Sequence, residues 1–227
     1  MANIVDNIFL SRNLNNIQRY SLVRTNKSQS VAEHSYNVSI LASLVYKSLL
    51  FYFNSKIEDS NILAIGELYV LKSSLYHDLG ESVTGDIVYT FKNSEFFENS
   101  GERDYILECF TSSCFADELP LLLDFSNTPE EVNSRLKYFC GLFADPSTID
   151  QELYKEFVNE LDLIIKFCDY LELLFYTFEE IKSGNSLIRP ISKSGLGIIT
   201  NSKFDFIYAN SDIVRFIVKE LAEGLAQ

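Results

Sequence analysis

Apolar residues recur three and four positions apart along almost the whole chain, and alternating runs of strand length are scarce. Such spacing puts one apolar stripe on each successive helix, whereas a sheet would need period two, so an all-α fold is expected. It predicts helices over roughly Ala32–Phe53, Asn61–Tyr76, Glu102–Ser112, Pro129–Phe143, Gln151–Ser183 and Asp212–Leu225. Asp150 or Thr148 can cap the fifth, and Gly184-Asn185 can end it with a left-handed residue. Ser186–Ser211 mixes β-branched residues with Gly and Pro, which predicts a structured loop or a small hairpin. The 227 residues contain no internal repeat and no Pro/Ser linker, so a single domain over 1–227 is expected.

Acidic side chains outnumber basic ones 32 to 19, a net charge of −13. That balance repels polyanions, so neither a nucleic acid polymer nor an anionic membrane surface is expected as a partner. Tyr36–Phe53 carries Lys47 as its single charge and approaches the length of a membrane span. Asn37, Ser39, Ser43, Lys47 and Ser48 interrupt it, and a buried helix is the better expectation. Met1–Asn13 has no signal-peptide pattern, and Cys109, Cys114, Cys140 and Cys168 form no CxxC pair. These cysteines read as small buried hydrophobes in a reducing cytoplasm. The charge map is uneven: Asn7–Ala32 holds Arg12, Arg19, Arg24 and Lys27 and no acid, leaving 15 bases against 32 acids elsewhere. Such an island suits a compact anion such as a phosphate ester, or is a solvated basic loop.

The chain has two histidines, His34 and His77, and each adjoins a carboxylate, as Glu33-His34 and His77-Asp78. The second pair opens the run His77-Asp78-Leu79-Gly80-Glu81, followed by Thr84-Gly85-Asp86. On a continuing helix Glu81 falls four residues from His77 and three from Asp78, near one face. Imidazole and carboxylate there can ligate a divalent metal, with Glu81 close enough to handle protons. Gly80 and Gly85 suggest a helix end bent around a site.

Arg19-Tyr20, Val31-Ala32-Glu33-His34-Ser35, His77-Asp78-Leu79-Gly80-Glu81 and Thr84-Gly85-Asp86 together resemble the HD-domain phosphohydrolases of the 5′-deoxynucleotidase type. The fifteen-residue step from Arg19 to His34 agrees without a gap, as does the interval from Asp169 to Glu179-Glu180 and Gly184-Asn185. The resemblance covers about Asn16 to Asn185, so it implies an HD-type helical core with a poorly matched extension over 186–227.

What it implies is an enzyme that removes the 5′ phosphate of 2′-deoxynucleoside monophosphates. His34, His77, Asp78 and Asp169 would bind one divalent cation, and this donor set suits Mn, Co, Zn or Fe(II) better than Mg. Glu81 and Asp86 would form the acid–base pair, in an order the sequence leaves open. Arg19 would grip the phosphate, Tyr20 would take the place of the family's usual tryptophan against the sugar, and Lys92 is a second candidate phosphate contact. Asp169 also fits a solvated helical stripe with Asp162 and Lys166. Relatives of this kind form homo-oligomers, and phage-encoded ones act on deoxynucleoside triphosphates such as dATP. A triphosphohydrolase, with Arg24 or Lys27 at the outer phosphates, is therefore an alternative, and the chain's Asn, Ser, Phe, Tyr, Ile and Lys content fits an AT-rich phage source. A nucleotide sensor with an inactive site is a third, disfavoured because all six of His34, His77, Asp78, Glu81, Asp86 and Asp169 are present. The implied location is the cytoplasm of a bacterial cell or a phage-infected host.

Overall fold

A computed structural model describes residues 4–86, 109, 129–143 and 150–226. Among these the protein is all-α. In chain order the helices are α1 (Ile4–Arg12), α2 (Val31–Ser48), α3 (Leu50–Asn54), α4 (Ser60–Tyr76), α5 (Glu81–Thr84), α6 (Pro129–Gly141), α7 (Gln151–Lys182), α8 (Arg189–Ile199), α9 (Asp205–Asn210) and α10 (Asp212–Ala226). Among the described residues no strand forms, and one isolated bridge pairs Gln18 with Ser30.

The axis of the bundle is α7, about 48 Å long at 1.5 Å per residue, which packs against α2, α4, α6, α8 and α10. Asp150 rather than Thr148 starts it, its carboxylate accepting from the Glu152 and Leu153 N–H groups, and Gly184 at φ 93° follows its end. The core lines α7 with Phe157, Leu161, Ile164, Phe167, Leu171 and Leu174, all essentially inaccessible. Phe157 meets Phe53 and Phe139 edge-on at centroid distances of 5.1 and 5.8 Å, a favourable geometry for aromatic rings.

A smaller apolar cluster of Leu14, Val31 and Leu79, with Leu10, Ile17, Tyr76 and Val83 around it, matters more for function. It ties the N-terminal helix, the start of α2 and the turn between α4 and α5 into one unit. Ser30 sets the entry to α2 through a capping box: its side chain accepts from the Glu33 N–H, and the Glu33 carboxylate accepts from the Ser30 N–H at 2.7 Å. The 17–31 loop is closed at its base by Arg19 N–H to Gln29 O and Val31 N–H to Ile17 O, each 2.9 Å.

Two sequence expectations are revised. The helix expected over Ala32–Phe53 is broken at Leu49 into α2 and α3. The loop or hairpin expected over Ser186–Ser211 is instead a run of short helical elements including α8 and α9. Pro190 lies in the first turn of α8, where a missing N–H costs nothing. Gly195 permits close helix contact, since a Cβ there would lie 2.6 Å from Leu173. Helix α1 was not anticipated, having a weak apolar stripe. The poorly matched 186–227 extension lays α8 and α10 against α7. The helix expected at Glu102–Ser112 lies outside the described residues except Cys109, which is helical. Cys109, Cys140 and Cys168 carry free thiols, Cys168 fully buried; Cys114 lies outside the described residues. No described helix is long and apolar enough to cross a membrane.

Candidate metal and phosphate site

His34 sits one turn into α2 and is completely buried. His77 directly follows α4 with helical backbone angles, and Asp78 comes next in the turn. The turn tightens through bonds three residues apart, including Glu81 N–H to Asp78 O at 3.0 Å and Val83 N–H to Gly80 O at 3.1 Å. The backbone thus keeps coiling from His77 to Glu81, as the sequence spacing implied. Gly80 itself is in the ordinary helical region; Gly85, at φ 81°, is the glycine that ends α5 and turns the chain into Asp86.

Donor atoms of His34, His77 and Asp78 all lie within 4.8 Å of one another. His34 Nε2 is 3.6 Å from Asp78 Oδ2 and 3.1 Å from Asp169 Oδ1; His77 Nε2 is 3.3 Å from Asp78 Oδ2. Both Nε2 atoms are buried, and neither is aligned for a hydrogen bond. Their other nitrogens are engaged: His77 Nδ1 with Ser74 O at 2.8 Å and His34 Nδ1 with the Glu172 carboxylate at 2.7 Å. This is the arrangement of metal-ligating histidines, whose outer nitrogen is held so that the inner one presents its lone pair. Leaving two buried ring nitrogens unpaired is costly in a folded core. The donor set therefore fits a divalent cation.

The electrostatics agree. Burial alone would push the Asp169 carboxyl up, but His34, His77 and Arg19 outweigh it and hold it at about 2. Burial and Arg19 would lower the His34 imidazole, yet Asp169 and Glu172 raise it above its ordinary value. Ionised acids so dominate the cluster that it draws positive charge.

Arg19 projects from the 17–31 loop towards these acids. Burial would lower its pKa, but Tyr20, Asp169, Asp78 and Glu172 raise it, so the guanidinium stays cationic. Its buried Nη1 is 3.6 Å from Glu172 and has no hydrogen-bond partner. Tyr20 has φ 59°, the sole positive value outside glycine among the described residues. That conformation is disfavoured for a bulky side chain and tends to persist where surrounding structure enforces it. Here the Tyr20 N–H donates to Asp86 Oδ2 at 3.1 Å, and its ring stacks on Tyr176 at 4.8 Å and 6°. Glu81 is buried at the head of α5. The structure thus assembles Arg19 and Tyr20, His34, His77 and Asp78, Asp86 and Asp169 from four segments; Lys92 lies outside the described residues.

The basic island is less open than its composition suggested. Lys27 Nζ is paired with Glu179 at 2.8 Å. The buried Glu180 carboxylate accepts from the Asn26 and Lys27 N–H groups and from Asn185 Nδ2, and Asn185 also donates to Arg24 O. Glu179-Glu180 and Asn185 therefore fasten this loop to the end of α7. Glu172 was missed from the sequence. The available signal was a carboxylate one turn beyond Asp169 among Leu171, Leu173 and Leu174, a row that would otherwise be apolar.

Residues 8–99 match the family model of the YfbR-like 5′-deoxynucleotidases. Among solved structures, an HD-domain phosphohydrolase from Listeria innocua is similar at 21% identity and TM-score 0.52, covering 99% of this chain and 90% of its own. A protein of Pyrococcus horikoshii OT3 is similar at 15% identity and TM-score 0.61, over 97% of this chain and 99% of its own. A conserved hypothetical protein from Pyrococcus furiosus reaches 18% identity and TM-score 0.53, over 96% and 99%. No curated protein matches the chain. At these identities the solved structures speak for the fold. The family match bears out the resemblance to HD-domain phosphohydrolases of the 5′-deoxynucleotidase branch over residues 8–99, and the solved structures support its fold.

Proposed function

From a chain of the HD-domain phosphohydrolase type, with its 5′-deoxynucleotidase signature over residues 8–99, we propose a metal-dependent enzyme that converts 2′-deoxynucleoside 5′-monophosphates to deoxynucleoside and orthophosphate. The observation that carries this reading is the convergence of two buried, unpaired imidazole nitrogens on two carboxylates beside an unpaired buried guanidinium nitrogen. His34, His77, Asp78 and Asp169 hold one divalent cation, of the Mn, Co, Zn or Fe(II) kind that imidazole-rich sites favour. Bound there, it supplies Lewis-acid polarisation of the phosphoryl group.

The remaining work falls to the chain's own side chains. Arg19 takes the phosphate through its fork of donors, the match that makes arginine the usual anchor for such oxygens. Water attacks phosphorus as the P–O5′ bond breaks; a carboxylate must accept the water's proton and an acid must return one to O5′. Glu81 and Asp86 fill these roles. Asp86 is aimed by the Tyr20 N–H on its Oδ2, which couples the acid–base group to the loop that carries Arg19. Tyr20, backed by Tyr176, forms the wall for the sugar. The same reading takes residues 1–227 as one domain, supported by a core cluster shared from α2 to α10.

The test is product identification by ion exchange after the Mn(II)-loaded protein meets deoxynucleoside mono- and triphosphates and their ribose counterparts. Orthophosphate from the deoxynucleoside monophosphates is expected. Tripolyphosphate, or deoxynucleoside formed from triphosphates alone, would replace this reading with a triphosphohydrolase. No turnover of any nucleotide would leave a binding protein.

A further inference from the structure

Glu172 joins the two halves of the site. Its Oε2 is 2.7 Å from His34 Nδ1 and 3.6 Å from Arg19 Nη1. Its Oε1 accepts from Gln29 Nε2 at 2.6 Å and faces Asn37 Nδ2 at 3.4 Å. The residue is 3% exposed.

The 2.7 Å contact makes Glu172 the acceptor for a proton on His34 Nδ1, which leaves Nε2, on the side of Asp78 and Asp169, as the nitrogen that would take a cation. The oxygen that settles this tautomer is also the one facing Arg19. The opposite oxygen is pinned by Gln29, which immediately precedes the Ser30 cap of α2. We propose that Glu172 is a positioning residue that sets the His34 tautomer and the Arg19 guanidinium together, so that one carboxylate tunes both cation affinity and phosphate binding. This rests on the metal-dependent reading above.

The experiment uses the full chain with Zn(II) as probe, and the variants Glu172→Gln and Glu172→Asp. Zn(II) affinity is read by competition with a chromophoric chelator. The imidazole protons are read by ¹H–¹⁵N NMR of the Zn(II)-loaded protein, a simple spectrum because the chain has two histidines. Glu172→Gln should lower Zn(II) affinity about 10–100-fold, the usual cost of losing a group that supports a ligating histidine. It should weaken competitive inhibition by inorganic phosphate and move the His34 Nδ1 proton upfield. The His77 Nδ1 proton, held by the Ser74 carbonyl, should stay in place, a difference that general loosening would not produce. Glu172→Asp keeps the charge and should recover part of the affinity; it carries the test if Glu172→Gln does not fold. Zn(II) affinity within twofold of wild type with an unshifted His34 proton would overturn the positioning role alone. A wild-type protein that binds no Zn(II) would overturn the metal reading beneath it.

Discussion

Asp162 and Asp169 lie two turns apart on one face of α7, and their surroundings divide structure from chemistry. Asp162 accepts from Tyr69 Oη and from Arg135 Nε, both at 2.7 Å, and so knits α4 and α6 to α7. Asp169 stands 3.1 Å from His34 Nε2, in a cluster where two imidazole nitrogens and one guanidinium nitrogen have no hydrogen-bond partner. A completed junction stabilises the fold. An incomplete one spends stability to keep ligand-binding groups ready.

The contrast can be broken most sharply at the incomplete junction. Asp78→Ala should abolish Mn(II) binding and phosphate release together, measured by metal analysis and colorimetric phosphate assay; turnover retained in that variant would remove the mechanism. Glu81→Gln should leave Mn(II) affinity within a few-fold while lowering kcat by about 10²–10⁴, the range for an acid–base group. At the completed junction the pattern should reverse. Asp162→Ala should cost about 3 kcal/mol of stability by removing the carboxylate that joins Tyr69 and the buried Arg135, read by urea unfolding. Its Mn(II) affinity should be unchanged in the folded protein.

The smallest effect belongs to Glu180, another completed acid on α7. Burial would raise its pKa, but Asn185 and the Asn26 and Lys27 N–H groups lower it below the ordinary 4.5. A folded-state pKa below the unfolded one gives stability above pH 4.5 that fades as pH falls through the lowered value. Glu180→Gln should therefore melt lower than wild type at pH 7, with the gap closing in acid. A gap independent of pH would show that shape, not charge, does the tying.

The sequence carried these differences unequally. His77-Asp78 and Glu81 were legible because they share one turn, where helical spacing alone brings them together. Asp169 and Asp162 were not separable by spacing, since both fit a solvated stripe. Their partners Arg135 and His34 come from other helices, and local periodicity says nothing of which helix packs where. Glu172 escaped notice for the same reason: its function lies in contacts to residues 29, 34, 37 and 19. Helices α6 and α7 were legible to within two residues from their apolar stripes, α7 also from its Asp150 cap, and α4 from its high apolar content. The segment from Ser186 onward misled because Pro190 and Gly195 read as breakers in isolation. In place, one begins a helix and the other allows α8 to press on Leu173.

The most direct test is anomalous diffraction from crystals of the Mn(II)-loaded protein. One strong peak should lie between His34 Nε2 and His77 Nε2, within ligand distance of Asp78 and Asp169, and it should vanish in Asp169→Ala. A protein that binds Mn(II) only elsewhere, or a His34 ring still turned to the carboxylates with no peak between them, would contradict the claim that the unpaired buried donors form the metal site.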